Sequence, residues 1–208
     1  EIYIIKVSNF LKLNLIIILS FIFTIKLSMA YEQPTYKIIK STDFEIRKYK
    51  DRLAVETDYS KDNSGFRDLF KYISGANSTS EKVTMTIPVT QSLKIDMTAP
   101  ITQTKKNDIM VMQFFLPANF TLENAPKPTN EKVRLVIIGE GYYAVLKYSG
   151  RLTDKNYLKH YRKLLIYLKN DSIEFLEPAI RATYNGPLTL PFLRRNEVMI
   201  KILFDEKK

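Results

Sequence analysis

The residues best able to do acid–base or metal chemistry are scarce in this chain. His160 is the sole histidine of 208 residues, and there is no cysteine. HExxH zinc sites, multi-histidine clusters, cysteine-ligated zinc and thiol nucleophiles are therefore excluded. His160 falls beside the apolar stripe of a helical segment and reads as a surface histidine, with a general base or a metal ligand as the alternatives. Asp154, Asp171, Glu174 and Glu177 show no spacing that marks out an acid/base pair. There is no P-loop, no GxGxxG and no GxSxG, and six glycines leave little material for such loops. No catalytic residue is nominated, and the chain does not read as an enzyme.

Binding chemistry is better represented. Phe66, Phe70 and Tyr72 lie at helical spacing with Arg67 and Lys71 alongside, and Phe192, Arg194 and Arg195 follow the turn Tyr184-Asn185-Gly186-Pro187. An apolar groove bordered by cations suits a flat apolar ligand carrying carboxylates, which arginine pairs bidentately. The plainer reading makes Phe66 and Phe70 core, and Arg67 and Lys71 the wet face of the same helix.

The formal charge is +10, of which about +8 belongs to residues 31–208. Such an excess favours nucleic acid, acidic lipid or a carboxylated ligand. The basic residues are interleaved with acids, so a diffuse solvated surface is the reading, with association to an acidic membrane surface as a further expectation. Leu13 to Ile25 form an apolar run preceded by Lys6 and Lys12 and closed by Lys26, and Ser28-Met29-Ala30 offers small residues for cleavage before Tyr31. The run falls short of the roughly 20 residues of a spanning helix. Residues 1–30 are expected to be a signal peptide, or else an uncleaved anchor through residues 11–27, and residues 31–208 one domain. The product would be exported, periplasmic or secreted, which argues against nucleic acid, and stable without disulfides.

Alternation of apolar and polar residues predicts strands at Tyr36–Lys40, Phe44–Tyr49 and Leu53–Tyr59. A helix follows, capped by Asn63 or Ser64, with Phe66, Leu69, Phe70 and Ile73 as its apolar stripe and Gly75 as its stop. Next come a strand at Ile109–Leu116, a loop at Asn124–Asn130, and strands at Lys132–Ile138 and Tyr142–Tyr148. A second helix starts near Thr153 or Asp154, with Tyr157, Leu158, Tyr161, Leu164, Leu165 and Leu168 on one face. Strands at Ala179–Tyr184 and Glu197–Phe204 end the series. Leu53-Ala54-Val55 to Tyr59-Ser60 parallels Tyr143-Ala144-Val145 to Tyr148-Ser149, each leading into a helix. The expected fold class is α+β: a pseudo-twofold duplicated unit forming a mostly antiparallel curved sheet or barrel with two helices outside.

One phrase occurs twice, as Met85-Thr86-Ile87-Pro88-Val89-Thr90-Gln91 and Met97-Thr98-Ala99-Pro100-Ile101-Thr102-Gln103. Each copy reads as a short strand stopped by proline. It stands in order with Tyr36-Lys37-Ile38-Ile39, Phe44-Glu45-Ile46-Arg47-Lys48-Tyr49, Gly65-Phe66-Arg67 through Gly75, Pro126-Lys127-Pro128, Tyr184-Asn185 and Arg194-Arg195-Asn196-Glu197-Val198. That series resembles the SOUL heme-binding protein family over nearly all of Tyr31 to Leu203. The resemblance implies a pseudo-twofold α+β barrel that binds heme or other tetrapyrroles non-covalently, as a carrier, buffer or scavenger. The pocket it implies sets Phe66, Arg67, Phe70 and Lys71 against Tyr184, Phe192 and Arg194. A histidine thought to ligate iron in a vertebrate member is matched here by Lys48. Binding would then rest on apolar contact and propionate pairing, or on a substitute ligand such as a tyrosine or His160. The absence of CxxCH excludes covalent attachment. Two readings of other classes stand beside this one: an enzyme acting on a heme or lipid-like substrate, and a ligand-free interaction scaffold at the envelope.

Overall fold

Strands form the largest part of the regular structure, and their ladders are antiparallel throughout. The computed structural model describes residues 31–60, 64–78, 92–106 and 109–206. In chain order the elements are β1 (Tyr36–Ser41), β2 (Glu45–Tyr49), β3 (Arg52–Tyr59), α1 (Ser64–Ile73), β4 (Asn77–Ser78), β5 (Ile101–Lys106) and β6 (Ile109–Phe115). Then follow β7 (Lys127–Pro128), β8 (Val133–Ile138), β9 (Gly141–Tyr148), α2 (Asp154–Asn170), β10 (Phe175–Thr183) and β11 (Asn196–Ile202).

Nine strands form one sheet in the order β1-β2-β9-β11-β10-β5-β6-β3-β8. Its edges β1 and β8 do not pair, so the sheet is open and the barrel expected from the sequence is not closed. It is nonetheless rolled. β2 and β3 stand six positions apart in the sheet, which would separate them by about 29 Å if it were flat, since neighbouring strands sit roughly 4.8 Å apart. Only Lys50 and Asp51 join them, a link that spans about 11 Å at most. Gly139 and Glu140 join β8 to β9 across the same six positions. The two links meet where the Glu140 backbone N–H donates to Asp51 Oδ1 at 2.6 Å.

The helices cover separate parts of one side. α2 packs on β9, β10 and β11, burying Leu164 and Leu168 against Phe44, Ile46, Leu146, Val198 and Ile200. α1 packs on β3, β6 and β8, burying Leu69, Tyr72 and Ile73 against Val55, Met112 and Phe114. Both helices end in a Schellman turn. In α1, Ala76 N–H reaches Lys71 O and Gly75 N–H reaches Tyr72 O, with Gly75 at φ +116°. In α2 the left-handed position is taken by Ser172, at φ 53°.

Several expectations change. Leu69, Tyr72 and Ile73 form the buried stripe of α1, whereas Phe66 and Phe70 sit at its border, partly in solvent. Pro100 precedes a strand instead of ending one: residues 92–97 are irregular and β5 starts at Ile101, where a missing proline N–H costs no ladder bond. The loop at Asn124–Asn130 contains the short strand β7, paired with β4. β10 begins at Phe175, earlier than expected, with a register shift between Leu176 and Ile180 around Pro178. The first copy of the doubled phrase and the apolar run Leu13–Ile25 lie outside the described residues.

Candidate functional site

Cross-strand register decides which side chains share a face. Phe114 is opposite Ile101, and Ile101 is opposite Thr183, so these three project to one side of the sheet. That side carries α1, because the Phe66 ring meets Phe114 edge-on at 5.5 Å. Phe66 also stacks on Phe70 at 5.8 Å and 12°, and the two remain 38% and 47% exposed. Arg67 and Lys71 are exposed on the next face of the helix, away from the core. Gly65 lets α1 approach closely: a Cβ there would lie 2.9 Å from Tyr59 Cγ. The result is a shelf of two aromatic rings with two cations beside it.

The loop half of the expected pocket is divided. Thr183 faces the α1 side, so the next residue, Tyr184, turns to the other face. It is buried there and donates to Glu197 Oε2 at 2.6 Å. Phe192 lies in a short 3₁₀ turn, Pro191–Leu193, and is largely exposed. Arg194 bends back onto its own loop, donating to Thr189 O at 2.8 Å and Pro187 O at 2.6 Å. Phe66, Arg67, Phe70 and Lys71 are thus brought together on α1, while Tyr184 is buried on the other face, Phe192 is exposed on the loop and Arg194 is tied back to that loop.

The inner face holds a charged network that sequence reading did not single out. Arg47, fully buried, donates bidentately to Glu197, with NH1 to Oε2 and NH2 to Oε1 at 3.0 Å each. Its Nε reaches Glu45 Oε2 at 2.6 Å and its guanidinium lies over the Tyr36 ring at 4.3 Å. Arg195 adds two further bonds to Glu197 Oε1, at 3.0 and 2.8 Å. Burial alone would raise the Glu197 pKa, but the hydrogen bonds and charge of Arg47 hold it below the usual carboxylate range. Burial and the Glu197 charge push the Tyr184 phenol far up. The partners come from the Phe44–Tyr49 and Arg194–Val198 phrases, 150 residues apart between Arg47 and Glu197. Strand alternation was the available signal, since it turns Arg47 to the opposite face from Ile46.

Beside this network Arg52 lies over the rings of Tyr49 at 4.2 Å and Phe115 at 4.5 Å. Its Nε is buried with no hydrogen-bond partner among the described residues, and burial lowers its pKa. It borders a narrow cleft, open to solvent, that is lined also by Gln33, Thr102, Gln113 and Met199.

Lys48, at the matched histidine position, and His160 each have partners within the protein. Lys48 pairs with Glu206 at 3.4 Å and lies over the Tyr142 ring at 5.1 Å. His160 stacks on Tyr148 at 4.2 Å, and its Nδ1 meets Asn156 O at 2.7 Å. Asp154 pairs with Arg181 and Asp171 with Lys40, while Glu177 accepts from Tyr161.

No curated protein sequence matches this chain. Among solved structures, it is similar to the C-terminal domain of EcmrR, at 10% identity and TM-score 0.53 over 84% of this chain and 99% of that one. It is also similar to a hydrolase from Listeria innocua, at 10% identity and TM-score 0.50 over 86% and 95%, and to a hydrolase encoded by lin2189 of the same organism, at 10% identity and TM-score 0.52 over 77% and 92%. Likeness at this identity is a likeness of fold. The sequence itself carries more: the model of the SOUL heme-binding protein matches residues 31–201, on a family of heme binders rather than enzymes. A match over that much of the chain places it in the family: the chain belongs to the SOUL heme-binding protein family.

Proposed function

We propose that this protein binds heme or a related tetrapyrrole non-covalently on the α1 shelf, as a carrier, buffer or scavenger. The observation that carries the reading is the stacked, half-exposed Phe66–Phe70 pair with Arg67 and Lys71 one helical face away. A planar macrocycle can lie against the two rings, and its propionates can reach the two cations. The donor set fits the apolar body and the carboxylates of the group, and Lys48, where a relative has histidine, pairs with Glu206. Binding by contact and charge does not depend on iron. Hemin and metal-free protoporphyrin IX should therefore titrate the full chain with dissociation constants within about threefold of each other. A Soret band identical to that of hemin in buffer would overturn the reading.

Two further parts of this reading concern architecture and place. The fold is read as a duplication of a strand-strand-helix-strand unit. The sheet order supports it: moving outward from the central β10–β5 pair, β10, β11, β9 and β2 on one side answer β5, β6, β3 and β8 on the other. The protein is also read as exported to a periplasm or secreted, or held at a membrane by residues 11–27. The apolar run Leu13–Ile25 and the small residues Ser28 and Ala30 support that.

A further inference from the structure

The segment between β10 and β11 presents four large apolar side chains within six residues. Leu188 is 97% exposed, Leu190 54%, Phe192 71% and Leu193 59%. Soluble proteins rarely leave so continuous an apolar projection uncovered without a use for it. The loop is not a slack one that could fold these residues away. Arg194 ties it to Thr189 O and Pro187 O, Arg195 N–H donates to Asn185 Oδ1 at 2.7 Å, and Gly150 N–H donates to Pro191 O at 2.8 Å. The last bond sets the loop against Gly150, so Arg151 and Leu152, both exposed, continue the projection, and Lys155 follows on the first turn of α2.

The charge around the projection is positive. Asp154 is offset by Arg181, and Arg195 is offset by Glu197. Among the described residues Arg194 bonds carbonyl oxygens, and together with Arg151, next to the Gly150 that holds Pro191, and Lys155 it puts positive charge near the apolar tip. A braced loop with exposed apolar residues and cations beside them matches an anionic bilayer, with acyl chains for the tip and headgroups for the cations.

We infer that the loop carrying Leu188, Leu190, Phe192 and Leu193 is a membrane-surface docking element for anionic lipid. The inference stands apart from the tetrapyrrole reading, which rests on α1.

The absence of cysteine makes a site-specific test direct. Full-length protein carrying Leu188→Cys, labelled with a polarity-sensitive nitrobenzoxadiazole dye, is mixed with phosphatidylcholine vesicles containing about 30% phosphatidylglycerol. The emission should move to the blue and brighten, and pure phosphatidylcholine should leave it unchanged. Arg151→Glu with Lys155→Glu should weaken the response about tenfold or more, and added salt should do the same. Hemin titration of the labelled protein should match that of the wild type, which separates the two readings. Three results would overturn the inference: a dark label on vesicles that the protein cosediments with, an equal response to neutral vesicles, or a blue shift that grows with protein concentration before any lipid is added. The last would assign the loop to a second copy of this chain.

Discussion

Arg47 and Arg67 carry the same guanidinium and are used in opposite ways on the two sides of one sheet. On the inner face Arg47 is fully enclosed, and three of its nitrogens meet Glu197 and Glu45 within 3.0 Å. On the outer face Arg67 stands in solvent beside two phenyl rings whose mutual contact leaves much of each exposed. A charge with all its partners inside the protein has nothing left to offer a ligand. The inner network therefore reads as a means of fixing β2 against β11 and its loop, and the outer shelf as the surface kept for binding. The difference also shows why the most polar part of the molecule is not where the function is placed.

Arg47→Met should break this contrast most severely. It strands Glu197 in the interior with only Arg195 and Tyr184 to answer it, at a cost of about 3 kcal/mol in urea unfolding. Porphyrin affinity per folded molecule should stay as it was. The same carboxylate sets an acid limb. Its folded pKa lies below the unfolded value of about 4.3, so its contribution is complete above that pH and is lost as pH falls through the folded pKa. Glu197→Gln should flatten the dependence of unfolding free energy on pH below about 4.3.

The outer face should answer in the reverse sense. Phe66→Ala with Phe70→Ala should weaken hemin binding about thirtyfold, roughly 2 kcal/mol, and leave the acid limb unmoved. Replacing Arg67 or Lys71 by alanine should cost about 1 kcal/mol of affinity each and little stability. Lys48→Ala sharpens the comparison through its silence: at the position matched to an iron-ligating histidine, it should shift hemin affinity by less than about 0.3 kcal/mol.

Local pattern made much of this legible. Alternation locates β2, β3, β8 and β9 within a residue or two, Thr153 caps α2, and Gly75 follows the end of α1. β5 escaped because Thr98-Ala99-Pro100 was read as the end of a strand, and a proline's missing N–H is equally at home at a strand's beginning. The division of α1 between Leu69, Tyr72 and Ile73 inside and Phe66 and Phe70 at the border is set by how the helix lies on Met112 and Phe114, which no helical period contains. The resemblance sets Tyr184 in the pocket, whereas its face follows from the pairing of Thr183 with Ile101. The Arg47–Glu197 pair spans most of the domain, and only strand order brings it together. Asn77 is buried and donates its side-chain amide to Tyr72 O and Leu93 O.

The two-residue links across six strand positions carry a consequence for how the chain could be divided. A cut in the Asn124–Asn130 loop would separate β1–β6 from β8–β11, yet the β2–β9, β10–β5 and β3–β8 ladders all run between those pieces. Each fragment would be left with raw strand edges and a helix lacking part of its floor. Mixed, they should recover one another's missing ladders, so the protein is a natural candidate for fragment complementation, with reassembly read out by recovery of porphyrin binding.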